Sequence, residues 1–279
     1  MRLFNRQKVL LNTIEELNNR NIHSRRAIVK SLFLLKEEHG IADNIPFYHF
    51  FAYKQGPFSH LCFYDLRKMR DNNLVNGQET AITADGKKAL SDRKHEHAIK
   101  AMFNKFPSEK KITDYVYKNY PKYTIKSELI EHEPEKATPS FFTLGYEGKD
   151  IDQFLNALVS NKIDLLIDVR KNPFSMNFIY IKDALMKKLK DVNIDYLHIP
   201  ELGIESEDRK NLKTKEDYDR LFEKYRKTLP LKEVYINRII ELGKMRRVAL
   251  LCYEANSNFC HRGQIAGFIR KKKIEVKDI

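Results

Sequence analysis

Four short runs in the second half of the chain, Phe141–Gly145, Ile163–Val169, Tyr196–Ile199 and Arg247–Cys252, are dominated by apolar residues at successive positions. They alternate with segments of three- and four-residue apolar spacing: Ile151 to Val159, Lys182 to Asp191, Asp217 to Thr228, Lys232 to Lys244 and His261 to Lys271. A strand that is apolar at consecutive positions is buried on both faces, which a parallel sheet covered by helices provides. The pattern predicts an α/β fold over residues 141–279, doubly wound and mainly parallel. In such a sheet the polar residues just past the strand carboxyl ends meet in one crevice. That places Tyr146-Glu147, Asp168 with Arg170, His198 to Glu201, Cys252 to Glu254 and Cys260-His261-Arg262 on one predicted rim.

The segments Thr143-Leu144-Gly145-Tyr146-Glu147-Gly148, Asp168-Val169-Arg170-Lys171-Asn172-Pro173-Phe174-Ser175, Pro200-Glu201-Leu202-Gly203 and Leu251-Cys252-Tyr253-Glu254 with Cys260-His261-Arg262 resemble the DUF488 family over residues 141–270. The resemblance implies an α/β fold and the position of the site, with Asn172 among the substrate contacts, and implies no particular reaction. Met176-Asn177-Phe178 departs from the family, whose usual members carry Arg or Lys followed by small residues there.

The rim residues have definable chemistry. Cys260-His261-Arg262 lies where a loop enters a helix, so backbone N–H groups, the helix dipole and a guanidinium favour an anion, most simply phosphate. The same setting favours a thiolate, making Cys260 a candidate nucleophile beside a plain packing role. Asp168 and Arg170, two apart on a strand, point the same way. The carboxylate either orients the guanidinium toward substrate or forms a structural ion pair. Glu147, Glu201 and Glu254 are candidate general acids or bases, with Glu201 also among the substrate contacts, and Tyr146 is a platform for a base. Cys252, Cys260 and His261 lack the paired two-to-four-residue spacing of structural zinc sites and supply only three ligands, so no metal and no other cofactor is expected.

The first half reads as helices. Leu3, Val9, Leu10, Ile14 and Leu17 share one helical face; Ser24 caps a second helix that stops at His39-Gly40; Ser59 caps a third, which carries Leu61, Tyr64, Leu66 and Met69 and ends in Asp71-Asn72-Asn73. Leu74 to Thr83 contains an Asn-Gly turn and predicts a two-stranded hairpin. Two more helices follow, from Asp92 to Phe106 and from Ser108 to Asn119, before the acidic, proline-containing stretch 124–140, which reads as a linker closing a first domain at 1–123. Ser31 to Leu35, Tyr53 to Ser59, Asp65-Leu66 and Asn73 to Val75 resemble the winged-helix-like modules of phage-associated and antitoxin-type proteins. Such a module implies that Arg67, Lys68 and Arg70 on the third helix are candidate nucleic-acid phosphate contacts.

Charge gives the fold a direction. The chain has 51 Lys and Arg against 38 Asp and Glu, a formal net charge of +13, which attracts polyanions and makes nucleic acid, DNA before RNA, the expected partner. No apolar run approaches the roughly 20 residues of a membrane span, and the basic start has no apolar core of a leader peptide. Three cysteines do not make a disulfide framework, so a cytoplasmic setting is expected. The favoured reading is a nucleic-acid-directed enzyme acting on a phosphate-bearing nucleotide or a modified base, in a setting such as phage defence. A non-catalytic, antitoxin-like DNA-binding regulator that senses an anionic ligand and a cysteine-dependent small-molecule transferase stay open, and with them whether the chain is an enzyme.

Overall fold

The computed structural model describes residues 3–90, 95–131, 137–210 and 212–279. The chain divides into two compact units, Met1–His132 and Glu133–Ile279.

In the first unit, helices α1 (Asn5–Asn18) and α2 (Arg25–His39) bury Val9, Leu10, Ile14 and Leu17 against Ile28, Leu32, Phe33 and Leu35 in one core. The Ser24 side chain accepts from the Ala27 amide at the start of α2. Gly40, at φ +60°, ends that helix in the left-handed conformation that costs glycine least. A hairpin of β1 (Phe51–Tyr53) and β2 (Gly56–Phe58) follows, antiparallel, with Gly56 at φ +98° in the turn. Helix α3 (His60–Asp71) is capped by Ser59 and buries Cys62, Leu66 and Met69. Asp65, fully buried on α3, accepts hydrogen bonds from Arg6 (2.8 Å), Gln7 (2.7 Å) and the Tyr48 hydroxyl (3.0 Å), and so ties the start of α1 to α3.

The predicted hairpin at Leu74–Thr83 is reduced to one bridge, Val75 to Ile82. The Asn76 side chain takes the amides of Thr80 and Ala81, which a second strand pair would have used. Glu79 is buried and pairs with both Arg25 and Arg70. Among the described residues there is therefore no two-stranded wing after α3. Thr83 instead caps a short helix, α4 (Ala84–Ala89). Helices α5 (Glu96–Lys105) and α6 (Glu109–Asn119) complete the unit; the start expected at Asp92 lies outside the described residues. Thr124 and Ser127, expected in the linker, are buried, and the Ser127 hydroxyl meets that of Tyr117 at 2.5 Å.

The second unit is a five-stranded parallel sheet in the order β5 (Asp195–His198), β4 (Leu165–Asp168), β6 (Arg247–Cys252), β3 (Ser140–Gly145), β7 (Val276–Asp278). Phe141, Leu165, Ile167, Val248 and Leu250 face a core shared with α9 (Lys215–Thr228), α10 (Glu233–Met245) and α11 (His261–Lys271). The alternate residues Phe142, Leu144, Leu166 and Leu251 are buried as well, as a sheet covered on both faces requires. Helices α7 (Ile151–Ser160) and α8 (Lys182–Asp191) carry the remaining buried stripes, Phe154, Leu155 and Leu158 on one and Leu185 and Leu189 on the other. The chain leaves β4 for the β5 edge and leaves β6 for the β7 edge, so the two connections diverge. A crevice opens at the carboxyl ends of β4 and β6, the switch point of the sheet. No helix among the described residues is long and apolar enough to cross a membrane.

Two measurements test the packing of the first unit. Asp65→Ala removes the partner of the partly buried Arg6 guanidinium and the acceptor of the buried Gln7 amide, and should lower unfolding stability by about 1–3 kcal/mol, seen as an earlier urea midpoint; an unchanged midpoint contradicts the network. Lys30 is buried, with its ammonium 2.7 Å from the Gln55 carbonyl. Burial and the neighbouring Arg26 charge push its pKa from 10.5 down to about 8. Between those values the unfolded chain holds the proton that the folded chain has released. Stability therefore rises with pH across that window, by up to about 1.4 kcal/mol per unit. Lys30→Met should remove this contribution, so the wild-type and variant stability curves converge or cross between about pH 8 and pH 10. Parallel curves contradict the placement of Lys30.

Candidate active site

Asp168 ends β4 and is fully buried. Its carboxylate accepts from the Arg170 amide (3.0 Å), from Nε (2.9 Å) and a terminal nitrogen (2.6 Å) of the Arg170 guanidinium, and from the Tyr196 hydroxyl (2.7 Å). The other terminal nitrogen of Arg170 donates to the Tyr146 hydroxyl and the Tyr180 carbonyl, both at 3.1 Å. Burial works against the Arg170 charge, but the hydrogen bonds and charge of Asp168 outweigh it and raise the guanidinium pKa further. Burial first, and then the Asp168 charge, raise the Tyr196 phenol. The His198 ring nitrogen Nε2 lies 2.9 Å from the Arg170 carbonyl. Asp168 thus holds Arg170, and Arg170 in turn holds the ends of neighbouring segments.

Above this network lies a pocket of about 560 Å³. Its walls come from Tyr146 to Lys149 after β3, from Arg170, Asn172 and Phe174 to Asn177 after β4, from Cys252 at the end of β6 with Tyr253 and Glu254 after it, and from Tyr180 and Arg209. Tyr146 stacks on Tyr180 at 4.2 Å, and Tyr253 meets Tyr146 edge-on at 5.3 Å. Tyr253, Phe174 and Met176 remain exposed at 47%, 65% and 88%, an apolar rim on a polar hollow. Gly145 makes the shape possible, because a Cβ there would lie 1.8 Å from the Glu254 carbonyl oxygen. The Glu147 carboxylate accepts from the Ala255 amide at 2.9 Å, closing the same approach from the other side.

The inner wall of the pocket is Cys252. Its thiol lies 3.4 Å from the Glu254 carboxylate and 3.5 Å from Nδ1 of His261. The His261 ring is buried, and its Nε2 lies 2.8 Å from the Val169 carbonyl, which sets Nε2 as the donor and leaves Nδ1 unprotonated; the Cys252 sulfur lies beside the ring, also 3.9 Å from Nε2. Cys260 is buried at the start of α11, and burial together with its contact to Cys252 pushes its thiol well up. Burial works to lower the His261 pKa, and the neighbouring Cys260 outweighs it, for a net rise.

Of the residues chosen from sequence, Tyr146, Glu147, Arg170, Asn172 and Glu254 line the pocket, with Asp168 and His261 directly behind it. Arg262 corrects the expected anion cradle. It is 1% exposed, its guanidinium donates to the carbonyls of Glu254 and Ala255 and to the Thr143 hydroxyl, and it fastens α11 to the sheet without lining the pocket. Successive helical residues point about 100° apart, so Arg262 turns away from the side that His261 faces. Cys260 and Glu201 also lie outside the pocket lining, and the thiol that lines it is Cys252. Tyr180, Tyr196 and Arg209 carry no motif signal; Tyr253 stands inside one. In the first unit Arg67 and Lys68 are exposed on α3, whereas Arg70 is held by Glu79 and Asp71.

The buried pair makes a sharp prediction. Asp168→Ala leaves the Arg170 charge without its carboxylate and should lower unfolding stability by about 3–5 kcal/mol. Arg170→Lys, which loses the two-pronged fit, should also destabilise. Denaturation curves matching the wild type for both variants would contradict the pairing.

No curated protein and no solved structure shows significant similarity to the chain. Residues 150–269, from the start of α7 through α11 to Ile269, match the family described as domain of unknown function DUF488.

Proposed function

We propose that the second unit is the catalytic domain of a nucleic-acid-directed enzyme, acting on a phosphate-bearing nucleotide or a modified base held in the switch-point pocket. The observation that carries this reading is the pocket's combination of groups: tyrosine and phenylalanine faces, the carboxylates of Glu147 and Glu254, and the cations Lys149 and Arg209 around one hollow of about 560 Å³. That volume falls within the range of roughly 300–1,000 Å³ typical of small-molecule sites. Aromatic faces suit a base without demanding its sequence identity. Lys149 and Arg209 suit a phosphate, since Arg170 is already neutralised by Asp168 and Arg262 is turned away. Glu254, beside the Cys252 thiol, is the acid or base nearest the reacting end, and Glu147 braces the loop that carries it.

In this reading the basic first unit brings the nucleic acid. Arg67 and Lys68, exposed together on α3, are its phosphate contacts, and Arg70 contributes by holding Glu79 in place.

Calorimetric titration with nucleoside monophosphates and modified bases should show saturable binding of at least one. Tyr253→Ala should weaken it about 5- to 100-fold, the loss of one stacked base. If none binds, or if Tyr253→Ala binds as tightly as the wild type, the pocket is not a nucleotide site. A labelled oligonucleotide measured at two salt concentrations should bind more weakly at the higher one, with a shallower dependence after Arg67→Ala and Lys68→Ala. Binding that is absent or indifferent to salt removes nucleic acid from the account.

A further inference from the structure

We infer that Cys252, Cys260 and His261 form a binding site for a thiophilic divalent metal ion of the zinc type. The ligand atoms of the three side chains lie within 4.8 Å of one another, and all three residues are buried. Across a tetrahedral zinc, with Zn–S near 2.3 Å and Zn–N near 2.0–2.1 Å, sulfur and nitrogen stand about 3.5 Å apart. The Cys252 sulfur and His261 Nδ1 are 3.5 Å apart.

A second observation is independent of that spacing. His261 Nε2 is committed to the Val169 carbonyl at 2.8 Å, leaving Nδ1 as the nitrogen able to bind an ion; the Cys252 sulfur lies beside the ring, 3.5 Å from Nδ1 and 3.9 Å from Nε2, so the ring or the thiol turns when an ion binds. Metal-bound histidines are oriented by this same kind of outer hydrogen bond on the nitrogen that does not bind the metal.

Donor chemistry narrows the metal. Two thiolates and an imidazole are too soft a set for magnesium or calcium and suit zinc. Two thiolate charges also balance a divalent ion in a buried place, where an unbalanced charge would be costly. The three protein ligands leave the fourth position of the tetrahedron open for water or substrate, as catalytic zinc sites do. Cys252 and Glu254 both line the pocket, so the ion would form part of its inner wall. There it would act as a Lewis acid on a bound substrate. This role rests on the proposed function; the binding of the ion does not. The sequence argued against a metal because Cys252 and Cys260 lack zinc-site spacing. The fold supplies the proximity, because β6 ends and α11 begins at the same place.

Metal-stripped full-length protein should take up one equivalent of cobalt(II), giving the intense visible bands of a tetrahedral thiolate complex, and zinc should displace it. Cys260→Ser should weaken uptake by more than about 100-fold, while Cys62→Ser, in the other unit, should leave it unchanged. A folding defect in the Cys260 variant is bypassed in the wild type by alkylation mapping, in which zinc should protect Cys252 and Cys260 from modification. Absence of stoichiometric cobalt uptake, a cobalt spectrum without thiolate bands, or no zinc protection of Cys252 and Cys260 overturns the site. Nucleotide titration of the metal-stripped protein reads the pocket separately, so failure of one reading is distinguishable from failure of the other.

Discussion

The Asp168–Arg170 pair is the interaction on which the second unit's crevice depends. A carboxylate and a guanidinium this deeply buried are tolerable only when each satisfies the other and the leftover hydrogen-bonding groups find partners. Here they do: Asp168 also takes the Tyr196 hydroxyl, and Arg170 reaches the Tyr146 hydroxyl and the Tyr180 carbonyl. Three consecutive residues therefore fix the site. Asp168 anchors, Arg170 ties the ends of β3 and β5 to the loop after β4, and the Val169 carbonyl between them orients His261 on α11. The mouth of the pocket is left to groups that the network does not consume.

The sequence exposes the parts of this arrangement that depend on repetition. β3, β4 and β6 are readable because a strand buried on both faces has to be apolar at nearly every position, and α8 and α11 because their apolar residues return at helical spacing. β7 is not readable: three residues, Val276-Lys277-Asp278, at a sheet edge carry no pattern to distinguish them from a tail. The β1–β2 hairpin is equally short, and its aromatic residues fit strand, helix or loop alike. The missing wing has a specific cause, since Asn76 and Glu79 offer the backbone and the neighbouring arginines a different set of bonds.

For the candidate site, the sequence gives membership of a rim but not which way a side chain faces. Cys260, His261 and Arg262 are adjacent, and adjacency suggests a shared purpose. On the helix they separate, with His261 toward Cys252 and Arg262 toward the carbonyls of the β6 loop. Arg170 shows the complementary limit, for its strand position predicts the partnership with Asp168 but not the tyrosine and the carbonyl that use its other nitrogen. Tertiary contacts of that kind leave no mark at a fixed sequence spacing.

The account's central claim is that the divergence of the β4 and β6 connections creates a ligand site, lined by Tyr253 and Glu254 and floored by Cys252. A crystal structure of the protein soaked with a nucleoside monophosphate tests it most directly. The account predicts density for the ligand in that hollow, its base against Tyr253 or Phe174 and its phosphate near Lys149 or Arg209. Density only elsewhere on the molecule, or a hollow filled by Phe174 and Met176 with no room for a ligand, would contradict it.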